Sequence, residues 1–150
     1  MRTITVALGE KTYNIEIAAG LLDQIGAKAR VLSQAVKAAI ISDSNVDPLY
    51  GERLERSLAA SGFEVTRIVF AAGEQSKNLT VLGQVYDELA RAGLTRRDLI
   101  LTFGGGVTGA LVGFAAANFL RGLDFIQVTT SLLVHIARHD GGTVAIVMTH

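Results

Sequence analysis

DLILTFGGGVTGALVGFAAANFLRG, residues 98–122, decides the fold. Leu99 to Phe103 is an apolar run of strand length, and Gly104, Gly105 and Gly106 follow it without a break. Val107 to Leu120 is then long enough for about four helical turns. Strand, glycine turn and helix make a phosphate site. Glycine lets an anion approach the main chain, and the first turn of a helix presents unpaired N–H groups and the positive end of its dipole. Gly104, Gly106 and Gly109 also fit G-x-G-x-x-G after a strand and at the opening of a helix. The usual dinucleotide version sits at the first strand and places an acid at the end of the next one. Here it comes late, and Asp124 stands at the wrong end of the strand Phe125 to Val128. The same residues also suit a tight strand-to-helix turn with no ligand.

Working outward, apolar runs of strand type alternate with helical spacing. Thr3 to Leu8 and Thr12 to Ile17 alternate around Gly9, Glu10 and Lys11, which predicts an antiparallel pair. Leu21 to Leu32 has a helical apolar stripe, Ala38 to Ile41 reads as a buried strand, and Asp47 to Ser61 is a helix with Pro48 near its first turn and Gly62 at its end. Val65 to Phe70 is the next strand. Ala71 to Asn78 is a polar loop, Leu79 to Ala92 a helix closed by Gly93, and Thr143 to Met148 a last strand. This order predicts an α/β, Rossmann-like, mostly parallel sheet with helices on both faces. In such a sheet ligands sit beyond the carboxyl ends of the strands. Three polar sets fall there: Asp43 with Asn45, Glu74 with Lys77, and Gly104 to Gly109 with Thr130 and Ser131. Their convergence favours a nucleotide, with carboxylate and amide groups for ribose and base and main-chain N–H groups for pyrophosphate.

The bulk numbers limit the alternatives. The 150 residues suit one domain, and about 70% of the unfolded surface of a chain this size is buried on folding. Fourteen basic and fourteen acidic side chains give zero net charge, and mean hydropathy is +0.38. No basic excess speaks for nucleic acid or a membrane surface. Cysteine is absent, which excludes disulfides and thiolate metal sites. Val107 to Leu120 is too short and glycine-broken to span a membrane, and a cytoplasmic protein is expected. That segment is apolar nearly all round, which implies an exposed patch and self-association. His135 and His139 stand four apart beside Asp140 but lack a third ligand at helical spacing, and His150 is terminal.

Taken together, GGGVTGALVGFAAANFLRGLDFIQVTTSLL resembles the 3-dehydroquinate synthase signature, in which a triple-glycine turn leads into GFAAA-x-x-x-RG and a strand ending in P-T-[ST]-LL. SDSNV at residues 42–46 and GEQSKN at residues 73–78 are similar to that family's segments in order and spacing. The resemblance covers nearly the whole chain but only the amino-terminal half of the family's length. It implies a single NAD-binding domain over residues 1–150, from an enzyme of the shikimate pathway. By position, Asp43, Asn45, Glu74 and Lys77 would contact the adenosine half of NAD. Gly105, Gly106 and Val107 would wrap the pyrophosphate, and Thr130, Ser131 and Leu133 would lie along the cofactor.

In the full enzymes NAD transiently oxidises a hydroxyl, phosphate is eliminated, the ketone is reduced and the ring closes. A divalent metal, zinc or cobalt, is held by a glutamate and two histidines of a second domain, which is expected to be missing from this chain, and the metal with it. The family's G-D after the glycine turn is Gly109-Ala110 here, and P-T-[ST] is Thr129-Thr130-Ser131. Where the family has an aspartate, a lysine and an asparagine, this chain has Ala137, Thr143 and Val147. Those losses imply a domain repacked, by engineering or selection, to fold alone without cyclase activity. The competing readings are an engineered structural protein that binds nothing and one half of a split cyclase.

Overall fold

The computed structural model describes residues 2–8, 11–18, 21–105, 108, 111, 124–129 and 144–148. Seven strands form one sheet: β1 Arg2–Leu8, β2 Lys11–Ala18, β3 Lys37–Asp43, β4 Glu64–Phe70, β5 Leu99–Gly104, β6 Asp124–Thr129 and β7 Val144–Met148. Their order is β1-β2-β7-β6-β5-β3-β4. β1 and β2 pair antiparallel, with Arg2 opposite Ile17 and Leu8 opposite Lys11. Every other pairing is parallel. The expected α/β sheet with its leading antiparallel pair is therefore the observed one.

Continuous apolar runs make the central strands, as parallel strands buried on both faces require. All six residues of β5 are buried. Alternate residues serve two cores. Ala38, Ile40, Leu99, Leu101, Phe103, Ile126 and Val128 face one side, with Leu21, Leu22 and Ile25. Ala39, Ile41, Ile100 and Phe125 face the other, with Leu82, Val85, Leu89 and Leu111.

The first side is covered by α1 (Ile25–Leu32), entered through a tighter turn at Leu21–Gln24, and by α2 (Glu52–Ala60). The two helices approach closely at Gly26, where a Cβ would lie 1.9 Å from the Ser57 carbonyl oxygen. The helix predicted from Asp47 starts as a wide π turn over Asp47–Gly51 before α2 takes over. Asp47 Oδ1 fills the space a Gly51 Cβ would need, 2.3 Å away. Arg67 on β4 holds that turn by donating to both Asp47 oxygens, at 3.0 and 2.9 Å, and reaches Glu55 on α2 at 3.0 Å. The bonds to Asp47 and then Glu55 push the already high pKa of the guanidinium further up.

α3 (Leu79–Arg91) covers the second side, with Asn78 as its amino-terminal cap: Oδ1 accepts the Val81 N–H at 2.9 Å. The helices end where the glycines predicted, Gly62 at φ +91° and Gly93 at φ +71°. Among the described residues no helix is long and apolar enough to cross a membrane.

Candidate functional site

The strand order puts a switch point at one place. From β3 the chain moves outward to β4, then returns to the other side of β3 to lay down β5, β6 and β7. Strands β3 and β5 therefore lead away from each other, and the crevice beyond their carboxyl ends is where an open α/β sheet takes ligands. Asp43 ends β3 and Gly104 ends β5.

Three consecutive residues stitch this edge together. Ser42, buried, donates from Oγ to the Phe103 carbonyl at 2.6 Å and locks β3 to β5. Asp43, half-buried, turns the chain: its Oδ1 accepts the N–H groups of Asn45 and Val46, both at 2.9 Å. Its Oδ2 accepts the hydroxyl of Thr108 at 3.1 Å, across 65 residues. Ser44 N donates to Phe70 O at 2.9 Å, and Ser44 Oγ accepts Ala72 N at the same distance. One run thus joins the ends of β3, β4 and β5.

The glycine turn is built differently at its first two positions. A Cβ on Gly104 would lie 2.7 Å from Thr108 Oγ1 and 3.0 Å from Asp43 Oδ2. Only glycine allows the Asp43–Thr108 bond to form there. A Cβ on Gly105 would meet no described residue within 4 Å. Among the described residues the second glycine is thus left clear, as a ligand lying against the main chain requires.

The Glu74–Lys77 set lies on the loop after β4. Gly73 takes φ +115° and opens a short turn over Glu74–Ser76. Ser76 is buried and donates to the Ala71 carbonyl, while Asn78 Nδ2 donates to Gln75 O at 2.6 Å. The loop is thereby internally braced. Glu74 and Lys77 are exposed, with no side-chain partner among the described residues.

Of the predicted contacts, Asp43, Asn45, Glu74, Lys77 and Gly105 therefore lie on the loops that meet at this edge. Gly106, Val107, Thr130, Ser131 and Leu133 lie outside the described residues, as do His135, His139, Asp140 and His150. Of the apolar segment Val107 to Leu120, only Thr108 and Leu111 are described, and both are buried. Among the described residues no group of three His, Cys, Asp or Glu could hold a metal ion.

Thr108 is the residue that sequence reasoning passed over. Inside an apolar run it reads as filler, and no periodicity links it to a carboxylate so far away in the chain. The G-x-G-x-x-G register was the available signal, since it puts residue 108 in the first turn after the glycines.

Comparison with known proteins follows the same segments. The family model described as 3-dehydroquinate synthase N-terminal matches residues 67–150. A 3-dehydroquinate synthase of Clostridium acetobutylicum is 44% identical over 146 residues, covering 97% of this chain and 41% of the relative. One from Enterococcus faecalis is 45% identical over 143 residues, covering 95% of this chain and 40% of the relative. The chain therefore spans about two fifths of the length of these relatives. Among solved structures, a 2-deoxy-scyllo-inosose synthase complexed with carbaglucose-6-phosphate, NAD+ and Co2+ superposes with a TM-score of 0.80. The match covers 97% of this chain and 45% of that one, at 19% identity, so the likeness is one of fold.

Proposed function

The chain belongs to the 3-dehydroquinate synthase family, and from that premise we propose that the carboxyl-terminal edge of its sheet binds NAD. One observation carries the reading: Asp43, Thr108 and Gly104 close the switch point while no described residue comes within 4 Å of a Cβ on Gly105. A carboxylate at the end of one strand and a glycine turn at the end of the next are the two parts a dinucleotide needs, for ribose and pyrophosphate. Asp43 takes the adenosine ribose, and Asn45 contacts the adenosine half beside it. Glu74 and Lys77, unpartnered among the described residues on the neighbouring loop, complete the adenosine side. Gly105, Gly106 and Val107 carry the pyrophosphate, with Thr130, Ser131 and Leu133 further along the cofactor. When bound, NAD supplies reversible hydride transfer, and this chain's residues bind and orient it.

The chain alone does not close the carbocycle. The family's polar groups for substrate are replaced at Ala110, Ala137, Thr143 and Val147. Side chains of this kind make no site for a phosphate or carboxylate, and they are what a domain folding alone requires, since a buried unpaired charge is costly. Residues 1–150 then act as one NAD-binding domain, and the apolar segment Val107 to Leu120 drives self-association, which sedimentation over a range of concentrations would detect.

Calorimetric titration of the purified chain with NAD tests the central claim. Saturable binding supports it, and no heat at about millimolar cofactor favours an engineered protein that binds nothing. Phosphate release after mixing with a carboxy-terminal chain of the family would instead mark one half of a split cyclase.

A further inference from the structure

Counting hydrogen bonds at Asp43 gives a result that the NAD reading does not contain. An ionised carboxylate offers about four acceptor positions. Both positions of Oδ1 are taken, by the N–H groups of Asn45 and Val46 at 2.9 Å. One position of Oδ2 is taken by the Thr108 hydroxyl at 3.1 Å. Gly104 lies against that same oxygen, since a Cβ there would be 3.0 Å away. Thr108 itself is 1% exposed, so its hydroxyl does not exchange this partner for solvent. Among the described residues, the carboxylate's orientation is fixed at three points and one acceptor position is left.

We propose that Thr108 is a positioning residue that restricts Asp43 to a single ribose hydroxyl, so that the site reads one of the two hydroxyls of the adenosine ribose and ignores the other. The proposal rests on Asp43 being the ribose acceptor. A free carboxylate at this place would span both hydroxyls with its two oxygens. Here Oδ1 is already saturated by the main chain of its own turn, and Thr108 removes half of what Oδ2 has to give. The hydroxyl that Asp43 does receive gains from a carboxylate already held in place, because no rotamer freedom is lost on binding.

The test uses the whole chain, NAD, and two analogues whose adenosine ribose lacks either the 2′ or the 3′ hydroxyl. For the parent chain one analogue binds about tenfold more weakly than NAD, the size expected for one bond to a charged acceptor. The other binds as NAD does. Thr108→Ser keeps the hydroxyl and the asymmetry. Thr108→Val keeps the shape, loses the hydroxyl, and brings the two analogues to within about twofold of each other. Equal losses for both analogues in the parent chain, or an asymmetry that survives Thr108→Val, overturns the proposal.

A second arm needs no cofactor. Amide hydrogen exchange at Asn45 and Val46 accelerates about tenfold in Thr108→Val relative to amides of β5, and is restored in Thr108→Ser. Unchanged exchange in the valine variant overturns the positioning role. If the parent chain binds no NAD, the NAD reading and the ribose part of the proposal fall together, and the exchange arm alone decides whether Thr108 holds Asp43.

Discussion

Two aspartates fasten β3 to the segment built around β5, one at each end of the sheet, and each accepts three hydrogen bonds from the described residues. At the carboxyl end Asp43 receives Asn45 N, Val46 N and Thr108 Oγ1. At the amino end Asp98 receives Lys37 N at 3.1 Å, Thr95 N at 2.7 Å and Thr95 Oγ1 at 3.1 Å. The surroundings differ. Asp98 is 5% exposed, below the start of two buried strands, in a corner where Lys37 Nζ also reaches across to the Ala92 carbonyl at 3.1 Å. Asp43 is half-buried and lies against Gly104, and a Cβ on the next glycine, Gly105, would meet no described residue within 4 Å. The same chemical fastening is enclosed at one end and partly open to solvent at the other. On the proposed NAD reading, burial, not the number of bonds, separates a structural carboxylate from a binding one.

The largest effect should come from breaking the closed end. Asp98→Ala takes the partner from the part-buried N–H groups of Lys37 and Thr95 and empties a buried position, and the cost is about 2.5 kcal/mol. Chemical denaturation should record it as a lower midpoint with unchanged slope, while NAD affinity of the folded fraction stays that of the parent. A comparable loss of affinity would mean that the two ends are not independent.

Gly104→Ala comes next and strikes the open end. The new methyl would sit 2.7 Å from Thr108 Oγ1 and 3.0 Å from Asp43 Oδ2. The Asp43–Thr108 bond must lengthen, at about 2 kcal/mol of stability, and NAD binding falls with it. Gly105→Ala, one residue on, separates the two effects. With no described residue within 4 Å of its Cβ, stability changes by no more than about 0.5 kcal/mol, yet the methyl enters the space assigned to the cofactor and affinity drops about tenfold. Thermal melting with and without NAD distinguishes the neighbours. Equal behaviour of the two alanine variants would remove the distinction between a packing glycine and a ligand glycine.

This pair also marks how far the sequence could be read. The run of three glycines after a strand was legible, as were the caps at Gly62 and Gly93, because such signals are local: an apolar run, a turn residue, a change of period. That Gly104 serves Thr108 while Gly105 has no described neighbour was not legible, since the two are chemically identical and differ only in neighbours brought in from elsewhere. Asp98 was read merely as the start of a strand, for its partners at Thr95 and Lys37 depend on β3 lying beside β5. Strand order was hidden for the same reason. Periodicity says that a strand is buried, not which strands flank it. Asp43 was singled out from its position after an apolar run, yet its three bonds, and so its single spare acceptor position, needed the fold. Arg67 likewise gave no sign in sequence of gathering Asp47 and Glu55.

The smallest effect belongs to a third aspartate that tests the comparison from outside. Asp23 holds Arg53 through two bonds, at 2.7 and 2.6 Å, with both side chains at least half exposed. The Arg53 bond holds the Asp23 carboxyl below its ordinary pKa, and the slight burial acts against it. A lowered folded pKa makes the ion pair stabilising above the unfolded carboxylate value, and that contribution disappears as pH falls through the folded one. Denaturation midpoints of the parent and Asp23→Asn should therefore differ slightly at neutrality and converge as acidification carries the pH below the ordinary carboxylate value. A gap as wide as that of Asp98→Ala would mean that bond geometry alone sets the energy, because Asp23 has the shortest bonds of the three aspartates and the least burial. A narrow gap that closes with acid leaves burial as the variable that divides them. Asp43 then falls between the two extremes, buried enough to be held by Thr108 and exposed enough to be reached.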